Sequence, residues 1–192
     1  MLPKIDIYIP FEPGEFLGSE YNRILKRTAN DWALLVDHDV FLSCNPHWYF
    51  ICQKVIEKCD PDVGMFVCYG SKLGNTEQMI EGAPSNFKPI PEHQAFAKQL
   101  FEKYQYSTTQ IEKGTGMFML IREWAWHDVR GFSKNIGMFG VTKKFNQQLK
   151  KRGWKVMRIN GLYVYHLRER REESWIEGEN VTQDYAKKKL EK

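Results

Sequence analysis

Short apolar runs alternate with amphipathic stretches along this chain, which is the pattern of an α/β domain. The first run is Ile5–Ile9 and the second covers residues 32–36, and both have the length of a buried strand. Between them, apolar residues recur at helical spacing over residues 20–29, with Ser19 as the predicted N-cap and Asn30 at the stop. The three elements predict a βαβ unit, in which the carboxyl ends of both strands meet at one edge of a sheet.

The same patterns predict the remaining elements. The segment between Gly70 and Pro91 is rich in glycine, proline, asparagine and serine, and it predicts a long loop of the kind that is usually functional or mobile. No internal repeat or linker divides the chain, so residues 1–192 are predicted to form one domain, either alone or within a longer protein. Further helices are predicted over 46–59, 92–104, 122–128 and 142–152, and further strands over 63–68, 115–121, 155–159 and 162–166.

Two acids follow the second predicted strand. Asp37 and Asp39 flank His38, and alternate residues of an extended chain share a face, so both carboxylates are expected in one site. Ligands of open α/β sheets bind beyond the carboxyl ends of the strands. Two acids held together are costly without a cation, and oxygen ligands favour a hard divalent metal. An acid pair on its own is also typical of a solvated loop or a helix cap.

Composition limits the class of protein. The chain has 192 residues, 42% hydrophobic and 27% charged, which are ordinary values for a globular domain with a sizeable core. No apolar run approaches the roughly 20 residues of a membrane helix, and no signal peptide precedes the first strand. The net charge of +4 is too mild to indicate nucleic acid and suits anionic ligands. The four cysteines lack metal-ligand spacing, which together with the missing signal peptide predicts reduced thiols and a cytoplasmic protein.

Several further stretches lie in a fixed order around the acids. Asn22 lies in the predicted first helix, fifteen residues before Asp37. The later stretches are Gly114–Arg122, Val129–Phe132, Gly153–Val156 and Gly161–His166. Together with Asn22 and the two acids, they make the chain resemble a GT-A glycosyltransferase close to family 2, of a compact type similar to those encoded by large algal viruses and phages. The resemblance implies a Rossmann-like α/β fold with a central, mainly parallel mixed sheet flanked by helices.

This resemblance implies transfer of a hexose from a nucleotide sugar, with UDP as the carrier, to a glycan or another hydroxyl acceptor. It implies that Asp39 ligates a metal directly and acts in catalysis through it, and that Asp37 meets the ribose or reaches the metal through water. His166 is implied to complete the metal shell, although a lone histidine at a strand end is more often structural. The ligand set fits Mn²⁺, with Mg²⁺ as the alternative.

The resemblance also implies contacts to the nucleotide sugar. The turn after the first strand carries the base in such enzymes, so Phe11 is expected either to stack on uracil or to join the core. Arg168 is expected to bind the pyrophosphate, since the guanidinium fork suits paired phosphate oxygens. The full set of expected contacts is Pro10, Phe11, Tyr21, Asn22, Lys26, Asp37, Gly116 and Arg168.

One departure from the family concerns the catalytic base. In inverting members this base lies at the start of a helix, at positions that here hold Val141, Thr142 and Lys144, none of which is acidic. The sequence therefore favours retention of configuration, with Asp128 as the first candidate base should the enzyme invert. Two other functions stay open, namely a vestigial carbohydrate- or nucleotide-binding domain and a metal-dependent phosphatase or nuclease. The last would need more acids or histidines than the sequence brings together.

Overall fold

The computed structural model describes residues 2–10, 16–71, 75–134 and 138–167. Within these ranges the chain alternates strands and helices, as the hydrophobic pattern predicts. The strands are β1 (Ile5–Tyr8), β2 (Trp32–Val36), β3 (Val40–Phe41), β4 (Val63–Gly70), β5 (Thr108–Gln110), β6 (Phe118–Arg122) and β7 (Lys155–His166). The helices are α1 (Leu17–Leu25), α2 (Trp48–Lys58), α3 (Ile90–Tyr104), α4 (Glu123–Asp128) and α5 (Met138–Lys151), with short 3₁₀ turns at Leu42–Cys44 and Thr76–Gln78.

The strands form one mixed sheet in the order β1-β2-β6-β4-β7-β3, with β5 also pairing on β7. Strands β1 and β2 are parallel, as are β4 and β7, whereas β6 is antiparallel to both of its neighbours. Strands β1, β2, β4 and β7 therefore all end at one edge of the sheet, the upper edge, and begin at the opposite, lower edge. The predicted α/β class with a mixed sheet is confirmed.

Both faces of the sheet are covered, because alternate residues of each strand enter different cores. Leu35 and Met119 pack with α1, α4 and α5 on one face. Leu34 and Leu120 pack with α2 on the other face. A third cluster joins α3 to the upper end of β7 around Tyr165, so the residues that end this strand lie in a buried environment. None of the described helices is long and apolar enough to cross a membrane.

Helix α1 begins earlier than its sequence predicts. Ser19 lies inside its first turn and is not the N-cap, and Phe16 at that position makes no side-chain capping hydrogen bond. The start of the helix instead packs closely on a distant loop, since a Cβ atom at Gly18 would lie 2.1 Å from the carbonyl oxygen of Ser133. A tertiary contact fixes this end of the helix, and local capping signals do not reveal it.

The last strand is longer than predicted. The two strands expected over 155–159 and 162–166 are one strand, β7, whose register against β4 shifts between Cys68 and Tyr69. Gly161 lies in the irregular stretch and lets another segment approach, since a Cβ atom there would lie 2.0 Å from the Gln105 carbonyl oxygen. Strands β3 and β5 were not predicted, because segments of 2 and 3 residues are too short to show a hydrophobic period.

Candidate metal centre

Asp37 and Asp39 leave the upper end of β2 in a tight turn. The Val40 N–H donates to the Asp37 carbonyl oxygen at 3.1 Å and closes the turn. The reason given by the sequence for the convergence of these acids, an extended chain with a shared face, is therefore wrong. The turn itself brings them together, with Asp39 buried, Asp37 half-buried and His38 between them exposed.

His166 brings a third candidate ligand to the same place. As the last residue of β7 it pairs with Val40 of β3, and the next N–H, that of Leu167, donates to the Asp39 carbonyl oxygen at 3.0 Å. These bonds hold the two backbones side by side, with His166 Nε2 3.2 Å from Asp39 Oδ2 and side-chain exposures of 7% and 5%. The ligand atoms of Asp37, Asp39 and His166 all lie within 4.8 Å of one another.

The donor set of this cluster fits a divalent cation. The separation of 3.2 Å between the Asp39 and His166 atoms suits neighbouring ligands of one ion, because metal–oxygen bonds of about 2.0–2.6 Å place such ligands about 3–3.5 Å apart. The Nδ1 atom of His166 is buried and has no hydrogen-bond partner within the described ranges. The protein atoms described thus leave part of this polar site unsatisfied. No second group of three such ligands occurs among the described residues.

Tyr21 and Gly116 lie beside Asp37. The Asp37 N–H donates to the Met117 carbonyl oxygen at 3.0 Å, so the start of β6 adjoins the turn. Tyr21 is 1% exposed. Burial raises the pKa of its hydroxyl, and the nearby negative charge of Asp37 raises it further, so the hydroxyl stays protonated. A side chain at Gly116 would begin 3.0 Å from the Thr142 hydroxyl and 3.6 Å from that of Tyr21. The buried Tyr21 hydroxyl therefore lies near Asp37, and the backbone of the half-buried Gly116 adjoins the same site.

The side chain of Asn22 is used by the fold. Its Oδ1 accepts hydrogen bonds from Trp126 Nε1 at 3.0 Å and from the Phe132 N–H at 2.8 Å, and its Nδ2 donates to the Phe132 carbonyl oxygen at 2.8 Å. These bonds hold the turn at Arg130 and Gly131, both of which have positive φ angles of 62° and 77°. The structure thus places this amide in a turn-fixing network and does not bring it to the cluster of acids.

Two other predicted residues also lie away from the cluster. Asp128 Oδ2 accepts a hydrogen bond from Trp154 Nε1 at 2.9 Å, and Trp154 immediately precedes the lower end of β7. The candidate base and His166 are therefore at opposite edges of the sheet. Lys26 follows the last residue of α1, on the path that leads to the lower end of β2, and it is exposed.

The remaining predicted contacts follow β1 and β7. Tyr8 pairs with Leu35 across β1 and β2, so Pro10 falls two residues further on, at the upper edge near the level of Asp37. The structure thus places Pro10 at the same edge of the sheet as the two acids. Phe11 and Arg168 lie outside the described residues.

Buried amides fix the loop before β6, and sequence patterns did not reveal them. Asn146 of α5 accepts a hydrogen bond from the Gly114 N–H at 2.8 Å and donates to the Gly114 carbonyl oxygen at 3.0 Å. The Gln78 Oε1 accepts from the Thr115 N–H at 2.6 Å. Both amides are buried, at 2% and 0% exposure. The available signal was one polar residue, Asn146, beside the inward-facing Phe145 of an amphipathic helix.

The chain has a distant structural likeness to a known protein. No protein-family model matches the sequence, and no curated protein matches it. Among solved structures, the chain is similar to the mannosyltransferase PcManGT from Pyrobaculum calidifontis, solved in complex with GDP-Man and Mn²⁺. The identity is 11% over 81% of this chain, the TM-score is 0.47, and the chain spans 37% of the length of that protein. Similarity at this level assigns neither a family nor an activity.

Proposed function

We propose that this chain is a metal-dependent glycosyltransferase of the GT-A type, close to family 2, that moves a hexose from a nucleotide sugar to a hydroxyl acceptor such as a glycan. UDP is the proposed carrier and Mn²⁺ the proposed metal, with Mg²⁺ as the alternative. The observation that carries the proposal is the cluster of Asp37, Asp39 and His166, whose ligand atoms lie within 4.8 Å. Its position beyond the carboxyl ends of β2 and β7 is where open α/β sheets bind ligands.

In this proposal Asp39 and His166 hold the ion directly, and Asp37 holds it directly or through water. The bound ion supplies neutralisation of the negative charge that grows on the departing nucleoside diphosphate. The protein contributes mainly by orientation. Hydrogen bonds tie the turn at residues 37–40 to β7, and they tie the loop before β6 to the buried amides of Gln78 and Asn146. These bonds fix the positions of both segments beside the candidate metal centre.

We propose retention of configuration, because the described residues place no base where inverting relatives have one. Val141 is fully buried, Thr142 is half-buried and Lys144 is exposed, and none of these residue types is a base at neutral pH. Asp128 is at the lower edge, so no catalytic role is proposed for it. The leaving diphosphate then takes the proton of the acceptor hydroxyl, on the face from which it departs, and Arg168 is the proposed contact to that diphosphate.

Release of free nucleotide tests the proposed activity. The purified chain is incubated with a panel of UDP-, GDP-, ADP- and CMP-sugars, with Mn²⁺ or with a chelator. We expect UDP release that requires the metal, together with a rise in melting temperature when UDP and Mn²⁺ are added together. No release from any donor combined with a melting shift would indicate a binding domain instead. Release of phosphate from phosphomonoesters or cleavage of nucleic acid would indicate the phosphatase or nuclease alternative.

Proton NMR of the product tests the stereochemistry. The anomeric coupling constant of the transferred sugar is compared with that of the donor, early enough that mutarotation does not intervene. Retention is expected, because general-base catalysis is typically worth about 10²–10⁴-fold and an inverting enzyme would need a base that the described residues do not place at the site. An inverted product contradicts the proposed retention without contradicting the glycosyltransferase activity.

A further inference from the structure

We propose that Ser71 and Asn86 are positioning residues for the candidate metal ligand His166. This inference rests on the proposed function in one respect, namely that His166 ligates a metal. Neither residue was identified by sequence patterns, and neither is a ligand in the cluster itself. Both are almost completely buried, at 0% and 1% exposure, and both make hydrogen bonds to the backbone of His166.

Ser71 extends the sheet by one step beyond its last backbone pair. The pairing of β4 with β7 ends at Gly70 and Val164, and the Ser71 N–H still donates to the Val164 carbonyl oxygen at 3.2 Å. Beyond Val164, the Ser71 side chain makes the hydrogen bonds to the backbone of β7. The Ser71 Oγ accepts from the His166 N–H at 2.9 Å and donates to the His166 carbonyl oxygen at 3.2 Å. One hydroxyl thus bonds to both backbone groups of the candidate ligand.

Asn86 holds the same residue from the long loop before α3. Its Nδ2 donates to the His166 carbonyl oxygen at 3.1 Å. The backbone carbonyl oxygen of Asn86 accepts a hydrogen bond from the Tyr165 hydroxyl at 2.8 Å. The ring of Tyr165 also stacks on the ring of His93 in α3, with centroids 4.0 Å apart. The loop and α3 are therefore both joined to the last two residues of β7.

These contacts matter because the end of a strand frays when its backbone groups lack partners. On the other side of β7, Val40 pairs with His166 and the Leu167 N–H bonds to the Asp39 carbonyl oxygen. The positions of Asp39 and His166 therefore depend on hydrogen bonds to both sides of the end of β7. Val40 and Asp39 make the bonds on one side, and Ser71 and Asn86 make those on the other. Outer groups that orient metal ligands are typically worth 10–100-fold in metal affinity.

The test measures Mn²⁺ affinity directly, by the loss of the electron paramagnetic resonance signal of the free ion, and the melting temperature without metal. The variants are Ser71→Ala, Asn86→Ala and Asn86→Leu. Leucine keeps the branched shape of the asparagine side chain, and the change removes an acceptor, Oδ1, that has no hydrogen-bond partner among the described residues. The matched control is Asn160→Ala. Asn160 is also a buried asparagine, but it lies within β7 and bonds to Ser107 and Thr109.

We expect Mn²⁺ affinity to fall about 10–100-fold in Ser71→Ala and in each folded Asn86 variant, while Asn160→Ala lowers the melting temperature with unchanged affinity. Wild-type affinity in the folded Ser71 and Asn86 variants would overturn the inference and leave the proposed function standing. An equal loss in Asn160→Ala would also overturn it, because the effect would then reflect general stability. If the wild-type chain binds no Mn²⁺, the proposed metal site fails, and the positioning role fails with it.

Discussion

A pair of aspartates lies beside each end of strand β7. The two pairs differ in how deeply they are buried and in which basic residue of β7 lies next to them. At the lower edge, Lys155 Nζ lies 3.3 Å from Asp60 and 2.8 Å from Asp62, with side-chain exposures of 33%, 73% and 46%. At the upper edge, the nitrogen of His166 lies 3.2 Å from Asp39, and both side chains are less than one-tenth exposed. Asp60-Pro61-Asp62 has the same spacing as Asp37-His38-Asp39.

This difference shows what makes an acid pair into a candidate site. Lys155 donates hydrogen bonds to Asp62 and Asp60, and these raise the pKa of Lys155, so its ammonium stays protonated and cannot ligate a metal. An imidazole can. Exposed ion pairs are also screened by water and contribute little to the stability of the fold. Buried carboxylates lose their hydration, and a nearby positive charge is needed to compensate for that loss. The lower pair is therefore an ordinary surface ion pair, and the upper pair is the candidate metal site.

The largest expected effect is the difference in Mn²⁺ affinity between a variant of the upper pair and a matched variant of the lower pair. Asp39→Ala is expected to abolish measurable Mn²⁺ binding, because a charged ligand is lost, while Asp62→Ala leaves Mn²⁺ affinity unchanged. The fold of Asp39→Ala should persist without metal, since the change also removes like-charge repulsion from Asp37. Isothermal titration with Mn²⁺ and a thermal melt check both variants. Unchanged affinity in a folded Asp39→Ala protein would exclude Asp39 as a ligand.

The bases at the two ends of β7 give the second test. His166→Ala is expected to weaken Mn²⁺ binding by about 10–100-fold or more, since even a residue that only orients a ligand has that effect. Lys155→Ala is the matched control and should leave the affinity as it is. The same titration measures both. Equal Mn²⁺ and UDP affinity in His166→Ala and the wild type would make His166 a structural residue.

Asn22 gives an intermediate effect, on stability and not on metal binding. Asn22→Ala removes three hydrogen bonds and leaves Trp126 Nε1 and both backbone groups of Phe132 without their partner. Because each buried group left unsatisfied costs about 1–3 kcal/mol, we expect the free energy of unfolding to fall by at least about 2 kcal/mol. Urea unfolding measures this loss. A folded variant with unchanged stability but weakened UDP binding would instead return Asn22 to the nucleotide site.

The smallest effect is expected at Asp128. Asp128→Ala removes the acceptor for Trp154 Nε1, a partly exposed contact worth about 1 kcal/mol, and should not change nucleotide release. A loss of release of 100-fold or more in a variant that melts normally would contradict this. It would place a proton acceptor at the lower edge, where the described structure has no candidate metal cluster.

Sequence patterns predicted the main strands and helices because their hydrophobic period is local. They also predicted that Asp37, Asp39 and His166 belong together, through the resemblance to a known family, and the structure places the three side by side. They misplaced the start of α1, where contact with Ser133 replaces capping. They also missed Ser71 and Asn86, whose partners lie far away in the chain.

The sequence alone determined that two acids would leave a buried strand, since five consecutive residues, 32–36, form a strand that is buried throughout. The resemblance selected Asp37 and Asp39, but the pattern of apolar and polar residues alone gives no physical reason why this Asp-x-Asp pair, and not Asp60-Pro61-Asp62, forms a site. That depends on the partner, and the partner is a residue at one or the other end of β7, distant from both acid pairs in sequence. Only the order and direction of strands in the sheet brought His166 to Asp39 and Lys155 to Asp62, because long-range pairing, unlike periodicity, is not recorded in any local stretch of chain.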